Sequence, residues 1–308
     1  MEAAILTAIA ARLRSALARE PLTGHLLRVD GEAVGIVDAA RAQRLRAFTD
    51  VFTVGRDAIE FVPGLHDARS RSRAMAEVAR ELAREAALTA WRDEPYAVSE
   101  RYGAAPAFVL ERAAARYFGI RTWAAHVNGV VAAAGDTTMW FARRSPHKAI
   151  DPDMLDNLVG GGIAADHGVA ETVVKEAWEE AGIPAELASQ ARAAGRFDVC
   201  RVNPDGVQRE TVFVHDLWLP PGFVPANRDG EAVSHRRVSL PEAARLIAIP
   251  SGPDEVTVDA SLVVLDFLLR REALPGEVAQ LASLRALLRR EPAPLTLPSP
   301  RTRGEDAT

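Results

Sequence analysis

The chain has 308 residues, of which 48% are hydrophobic and 26% charged, and its formal net charge is −5. This length exceeds one typical domain and suits two, and the composition is that of a globular protein. The acidic balance argues against a general nucleic-acid-binding protein, which usually carries a basic face. The one cysteine, Cys200, excludes an internal disulfide framework and a multi-cysteine zinc site.

No segment is long and apolar enough to span a bilayer, so we expect no membrane association; the best candidate, 260–269, is short and carries Asp266. The N-terminal segment is rich in Arg but also carries Glu2 and Glu20, and it lacks the apolar block and cleavage site of a secretory signal. A lone cysteine fits a reducing compartment. The sequence therefore predicts a cytoplasmic protein.

The first 120 residues predict a small α+β domain of unassigned role. Residues 2–19 place apolar side chains at four-residue steps, which is typical of a helix packed on one side. Asp30-Gly31 accepts the positive φ of a tight hairpin turn between two strands. We expect further strands at 50–55 and 58–62, and helices at 70–88 and 107–119.

From Thr122 the pattern changes to β, and we predict a second domain over 121–275. Strands and helices separated by short links favour a mixed sheet sandwiched by helices. The segment 276–308 is expected to form a C-terminal helix followed by a disordered, Pro-rich tail. The second domain's strands are expected at 122–133, 137–144, 195–203, 208–219 and 231–239, and its helices at 169–181, 240–248 and 256–272.

Three glutamates of the predicted helix at 169–181 share one face. A helix advances by about 100° per residue, so Glu180 lies about 40° and Glu179 about −60° from Glu176. The apolar Val174, Ala177, Trp178 and Ala181 then form a separate stripe that we expect to pack on the core. A cluster of carboxylates selects Mg²⁺ or Mn²⁺. The alternative is a solvated acidic helix face.

The residues around these glutamates resemble the Nudix box, whose pattern is G-x5-E-x7-R-E-U-x-E-E-x-G-U with U aliphatic. Here Gly161 is followed by Glu176, the pair Glu179-Glu180, and Gly182-Ile183. The resemblance implies an α/β/α Nudix sandwich, preceded by the small α+β domain, and a Nudix-type diphosphatase. It also implies that Glu176, Glu179 and Glu180 hold Mg²⁺ or Mn²⁺.

Two positions depart from this pattern, because His167 replaces the first acid and Lys175 replaces the arginine. The runs WRDEPYAV, ERAAARYFGIRTWAAHVNG and MWFARRSPHKAIDPDMLDNLVGGGIA are similar to a Nudix subgroup related to thiamine pyrophosphokinase, in which both departures occur. That similarity implies cleavage of a small-molecule diphosphate to a monophosphate and phosphate. Thiamine diphosphate analogues and nucleotide derivatives are the candidate substrates. We expect Lys175 to orient the glutamates.

Other residues are candidates for substrate binding and for proton transfer. Cations after a strand could hold a diphosphate opposite the metal, although a solvated basic turn has the same pattern. A glycine run permits close backbone approach and unusual φ values. Nudix enzymes often take a general base from a late loop, which points to Glu231; Glu176 itself or Glu255 are alternatives. The candidate phosphate-binding residues are Arg143, Arg144, Lys148, Gly161 and Gly162.

A Nudix-fold module that binds a ligand without cleaving it, a sensor, is the competing hypothesis. The departures at His167 and Lys175 favour the sensor, whereas the complete set of three glutamates favours the enzyme. The expected partner is a small-molecule diphosphate, with no nucleic acid and no membrane. The sequence does not predict the oligomeric state. A homodimer is one alternative, because Nudix proteins often dimerise.

Overall fold

The computed structural model describes residues 2–17, 22–133, 135–289 and 295. The predicted disordered tail lies outside the described residues except for Leu295. No helix in the described ranges is long and apolar enough to cross a membrane.

The N-terminal part forms a four-stranded sheet, with strand order β2-β1-β4-β3, and a separate two-stranded sheet of β5 and β6. Its core includes Leu27, Ile59, Met75 and Phe118, all fully buried. The elements are α1 (Glu2–Ala16), β1 (His25–Val29), β2 (Glu32–Val37), α2 (Ala39–Leu45), β3 (Phe52–Val54), β4 (Ala58–Phe61), α3 (Ala68–Arg84), β5 (Pro95–Val98), β6 (Phe108–Glu111), a 3₁₀ turn (Arg112–Ala114) and α4 (Ala115–Phe118).

The hairpin predicted at Asp30-Gly31 is confirmed. Strands β1 and β2 pair antiparallel on either side of it, and Asp30 and Gly31 have φ of 51° and 85°. Positive φ at both central residues gives a turn whose twist matches that of the strands.

The helix predicted at 107–119 is wrong in its first half. Phe108 and Leu110 are buried while Val109 and Glu111 are half-exposed, which is the two-residue period of a strand. Strand β6 pairs antiparallel with β5, and helix begins only at Ala115. Four residues that pair with a neighbouring strand gain contacts that their local helical preference cannot match.

The second part of the chain is built on a mixed sheet, as predicted, and the strand order is β11-β12-β7-β8-β13. Strand β12 runs parallel to β7, β10 pairs antiparallel with β7, and β9 with β8. The elements are β7 (Arg121–Ala133), β8 (Asp136–Arg144), β9 (Leu155–Asn157), β10 (Val159–Gly162), α5 (Val169–Ala181), α6 (Ala185–Ala188), β11 (Arg192–Asn203), β12 (Gly206–Trp218), β13 (Ala232–Ser239), α7 (Leu240–Leu246), α8 (Val258–Arg270) and α9 (Val278–Leu288).

Helices cover both faces of this sheet. On one face α5 packs through Val173, Ala177 and Ala181 against β7, and on the other α7 and α8 pack on β8 and β12. A sheet covered on both faces has strands that are apolar almost throughout, as β7 is between Trp123 and Val131. The fold is therefore the predicted α/β/α sandwich.

The first helix packs with the second part of the chain. Leu6, Ile9 and Leu13 of α1 belong to the same apolar cluster as α8 and α9. Arg12 donates from Nη1 to the Ile247 carbonyl at 3.0 Å and to Ser261 Oγ at 2.7 Å, and from Nη2 to the Val256 carbonyl. The N-terminal unit that packs around its own core thus begins at β1. The sequence-based prediction instead includes helix α1 in a domain of residues 1–120.

Candidate active site

The helix that carries the glutamates, α5, has a defined beginning and end. The Glu171 carboxylate accepts a hydrogen bond of 2.7 Å from the Gly168 N–H at the first turn. The helix ends at Gly182, whose φ of 63° is left-handed, and a Cβ there would lie 2.9 Å from the Ala226 carbonyl oxygen. Glycine satisfies both constraints, which explains the final glycine of the motif.

The glutamates do not form a face separate from the core. Glu176 and Glu180 are each only 9% exposed and flank the packed residues of α5, whereas Trp178 is 47% exposed. The prediction that Trp178 belongs to the buried stripe is wrong, because the helix turns Glu176 and Glu180 toward strand β10. The Trp178 ring instead stacks under Arg228, with the guanidinium carbon 4.0 Å from the ring centre.

The glycine run forms strand β10 rather than a loop. A Cβ at Gly161 would overlap with the Glu176 side chain, and a Cβ at Gly162 with the Tyr96 hydroxyl. None of residues 160–162 has a positive φ, so the glycines are required by close approach and not by an unusual backbone angle. Gly161 thereby admits Glu176 against the sheet.

The two buried carboxylates are electrostatically crowded. Glu180 accepts a hydrogen bond of 2.8 Å from the Gly160 N–H. Burial and the nearby Glu176 nevertheless raise the pKa of Glu180 well above its usual range. Burial also raises the pKa of Glu176, against the opposing effect of Lys175. Two desolvated carboxylates that repel each other gain from any cation placed between them.

Lys175 bridges two of the three glutamates. Its Nζ lies 3.0 Å from Glu176 Oε1 and 2.7 Å from Glu179 Oε2. The two carboxylates raise the pKa of Lys175 even though burial opposes the charge. Lysine therefore holds two carboxylates together where the family pattern has arginine.

The donor chemistry of this site suits Mg²⁺ or Mn²⁺, since carboxylate oxygens are the ligands that these ions prefer. The carboxylates are not already gathered around one point: among the described residues no three His, Cys, Asp or Glu side chains stand in metal-binding geometry. Lys175 joins Glu176 to Glu179, while Glu180 is turned to the Gly160 amide. The raised pKa values of Glu176 and Glu180 are the structural observation that fits a cation.

The predicted phosphate-binding cations divide between two sides of strand β8. Arg144 and Lys148 line a cavity of about 160 Å³ that also contains Glu176 and residues 160–162 of β10. Arg143 is not among the residues that line this cavity. Its guanidinium donates to the Asp153 and Pro253 carbonyls and to Asp254 Oδ1, because successive strand residues face opposite sides.

Glu231, the candidate general base, also lines the cavity. It forms ion pairs with Lys148 and with Arg92 of the N-terminal unit, the latter at 2.8 Å. Although burial opposes them, Lys148 and Arg92 hold the pKa of Glu231 below its usual value. Glu255, the weaker alternative, lies 3.8 Å from Arg12 and is not among the residues that line the cavity.

His167, which stands at the acidic position of the family pattern, does not line the cavity either. Its Nδ1 lies 2.8 Å from Asp166 Oδ1 at the exposed entrance to α5.

The cavity lies between the two parts of the chain, and the sequence did not predict the part of its wall that the N-terminal unit contributes. Arg144 forms a 2.7 Å ion pair with Asp156, a further lining residue that sequence reasoning missed. No local pattern marks the contributing residues of the N-terminal unit, because only the packing of β5 and α4 on the sheet of the second part brings them there. They include Arg92, Tyr96, Arg112 and Arg116.

Both parts of the chain match known protein families. Residues 12–122 match a domain of unknown function (DUF4743), and residues 123–258 match the NUDIX domain. Nudix hydrolase 24, chloroplastic, of Arabidopsis thaliana is 35% identical over 251 residues, which cover 81% of this chain and 68% of the relative. Nudix hydrolase 20, chloroplastic, of the same plant is 34% identical over 251 residues, covering 79% and 66%.

Among solved structures, a protein from Deinococcus radiodurans matches 56% of this chain and 97% of its own, with 20% identity and a TM-score of 0.41. The sequence relatives carry the assignment, because they extend over both matched domains and the three glutamates fall inside the matched Nudix region. The chain belongs to the Nudix hydrolase family.

Proposed function

We propose that this Nudix hydrolase cleaves the phosphoanhydride bond of a small-molecule diphosphate, giving a monophosphate and phosphate. One observation carries the proposal: a single cavity contains the buried Glu176, the cations Arg144 and Lys148, and the glycine strand. A carboxylate for a metal and cations for phosphate oxygens are two requirements of diphosphate chemistry. Of the three glutamates only Glu176 lines the cavity; Glu179 and Glu180 lie on the same helix.

In this proposal Glu176, Glu179 and Glu180 hold Mg²⁺ or Mn²⁺, which when bound would neutralise the diphosphate and lower the pKa of an attacking water. Lys175 is a positioning residue that keeps Glu176 and Glu179 adjacent.

In this proposal Arg144, Lys148 and the backbone of Gly161 and Gly162 bind the phosphate groups. All four residues line the cavity. The Arg144 guanidinium donates hydrogen bonds to the Asp151 and Ile150 carbonyls and to the Asp156 carboxylate. These bonds fix the position of its charge. A fixed guanidinium binds phosphate with little further loss of side-chain freedom.

Glu231 is the general base of the proposal. Its ion pairs with Lys148 and Arg92 keep it ionised at neutral pH, as a proton acceptor must be. A substrate phosphate that draws Lys148 away would leave the carboxylate less compensated and therefore more basic.

The candidate substrates are thiamine diphosphate analogues and nucleotide derivatives. The test is phosphate and monophosphate release from thiamine diphosphate, oxythiamine diphosphate, NADH, ADP-ribose and nucleoside triphosphates, with Mg²⁺, with Mn²⁺ and with EDTA. We expect cleavage of at least one compound, and its loss in EDTA. Binding without metal and without product would favour the sensor.

The site is tested by Glu180→Gln, which keeps the shape of the side chain and removes its charge. We expect the activity to fall by about 10²-fold or more, as for loss of a metal ligand or of its orientation. The control is Glu186→Gln on the neighbouring α6, which is exposed and should leave turnover unchanged. Unchanged turnover in Glu180→Gln would reject the metal assignment.

A cytoplasmic location and a homodimer also stand as proposals. Fractionation of the cells that make the protein and light scattering of the purified chain test them. Fractionation matters here, because both plant relatives are named chloroplastic.

A further inference from the structure

A second polar cluster lies on the cavity wall, formed by elements that do not carry the glutamates of α5. Gln208 and Glu210 lie two residues apart on β12, and Asp259 lies in the first turn of α8. All three line the cavity. Thr122 of β7 donates to Glu210 at 3.0 Å and completes the cluster.

The Gln208 amide joins the two carboxylates. Its Nε2 donates to Glu210 Oε2 at 3.1 Å and to Asp259 Oδ2 at 3.0 Å. Only the NH₂ end of an amide can donate to two carboxylates, so these partners fix its orientation. The carbonyl Oε1 of Gln208 is then turned away from both acids.

This arrangement leaves two buried acceptors without a partner. Within the part of the chain that the structure describes, neither Gln208 Oε1 nor Asp259 Oδ1 accepts a hydrogen bond, and Gln208 is 4% exposed. Buried acceptors are normally paired, so each such atom on a cavity wall indicates a donor supplied by a ligand or water.

Within the described chain the cluster has no ion-pair partner, although Arg112 acts on Glu210, and His126 and Arg201 on Asp259, at longer range. No Lys, Arg or His of the described ranges lies within ion-pair distance of Glu210 or Asp259, whereas Glu176 and Glu231 each have such a partner. Burial and Glu210 together raise the pKa of Asp259 to about 6. The cluster is therefore an acceptor-rich part of the cavity wall whose two carboxylates lack a direct ion-pair partner among the described residues.

A metal ion is a poor occupant, because the Gln208 NH₂ group already lies between Glu210 and Asp259 and an amide NH₂ cannot act as a metal ligand. The same cavity also has an apolar part, to which Ile120, Ala124 and Val207 contribute. Acceptors beside an apolar wall suit a flat ring that carries N–H groups at its edge.

We propose that Asp259, Glu210 and Gln208 form a specificity subsite for the group attached to the diphosphate, and that this group is a nitrogen heterocycle presenting N–H donors. The subsite rests on the proposed function, because it would bind the part of the substrate that the phosphate-binding residues do not contact. It favours an amino-substituted or protonated ring over one of the same shape without N–H.

The test measures binding of the heterocycle without its diphosphate, by ligand-observed NMR titration of the full chain. Two matched pairs serve as probes: 4-amino-2-methylpyrimidine with 2-methylpyrimidine, and 9-methyladenine with 9-methylpurine. We expect the amino member of at least one pair to bind about tenfold tighter or more. The difference should disappear in Asp259→Asn.

The matched control is Asp266→Asn, on the same helix but paired with Arg270 and not among the residues that line the cavity. This variant should keep the difference within a pair. Equal binding within both pairs, absence of binding, or a difference that survives Asp259→Asn would each overturn the subsite.

Failure of the subsite and failure of the proposed function are distinguishable. Discrimination within a pair together with no hydrolysis of any diphosphate would keep the subsite and reject the diphosphatase. Metal-dependent hydrolysis together with equal binding within both pairs would do the reverse.

Discussion

Glu176 and Glu180 are buried although a carboxylate loses its hydration on burial. Compensation is incomplete, since Glu180 receives one backbone N–H and Glu176 one ammonium group. The consequence is a raised pKa at both side chains. Such perturbed groups concentrate at functional sites, because the same crowding that disfavours the free carboxylates favours a bound cation.

Lys175 should act through the glutamates that it joins. Lys175→Met removes the ammonium group while keeping the length of the side chain, and we expect turnover to fall by about 10- to 100-fold, as when a group that orients metal ligands is lost. Lys175→Arg restores the cation of the family pattern and should retain most of the turnover. The measurement is kcat together with the Mg²⁺ concentration for half-maximal activity.

A lysine with only a structural role would give a different result. Both variants would then shift the melting temperature and leave the metal requirement unchanged. Rescue by arginine, with a metal requirement close to that of the parent chain, is the outcome that supports positioning.

Asp259 should make the free energy of unfolding depend on pH. Its folded pKa is about 6, above the usual value of 3.8, so the folded state binds the proton more tightly. The ionised Asp259 carboxylate therefore destabilises the folded state fully above about pH 7, and this destabilisation disappears as the pH falls toward 4. Asp259→Asn should stabilise the protein at pH 8 by about 3 kcal/mol at most, from about two pKa units at 1.36 kcal/mol each.

Denaturant unfolding of both proteins between pH 4 and pH 8 checks this prediction. The difference between the two stabilities should shrink as the pH falls. An equal difference at both ends of the range would mean that Asp259 titrates at its ordinary pKa.

At the scale of elements, strand β10 depends on glycine for contact rather than for backbone freedom. Its neighbours on either side are α5, through Glu176, and β5 of the N-terminal unit, through Tyr96. The strand is therefore the place where helix α5 and the N-terminal unit meet. A side chain on it would separate the parts that form the cavity.

Gly162→Ala should test this close packing. The new methyl group would overlap with the Tyr96 hydroxyl, and we expect a loss of about 1–3 kcal/mol in the free energy of unfolding, as for other overpacked sites. Gly222→Ala is the matched control, because nothing lies within 4 Å of a Cβ at that position. Urea unfolding measures both. Equal stability of the two variants would contradict the contact.

At the scale of the whole molecule, the first helix packs on two helices near the other end of the described chain. Helix α1 packs on α8 and α9, so that the N-terminal segment covers the second core while residues 25–118 form their own. Arg12 fixes this docking through acceptors on 247, 256 and 261. The second domain is therefore incomplete without the first helix.

Arg12→Ala should destabilise the second domain although the residue lies far from it in sequence. The substitution leaves buried carbonyl groups without a donor, and we expect a loss of about 3 kcal/mol, as when one partner of a buried charged network is removed. The exposed Arg80→Ala on α3 should change the stability by less than about 0.5 kcal/mol. Thermal unfolding compares them, and similar values would show that α1 is not part of the core.

The sequence by itself determined the elements with strong local patterns and the family motif. The hairpin at Asp30-Gly31, the helix over Val169–Ala181 and the individual strands of the mixed sheet follow from local periodicity and turn chemistry, which need no distant partner. The spacing of the three glutamates predicted that they share one helix face, and the resemblance to the Nudix box implied their role as metal ligands.

Only the tertiary structure decided which side chains face one another. It turned Trp178 outward, placed Arg143 on the side of β8 that does not line the cavity, and made a strand of Phe108–Glu111. It also brought Arg92 and Asp259 to the cavity of Glu176. Such contacts join residues that are distant in the chain, and they depend on which faces of the helices and strands are buried, which local periodicity alone does not specify.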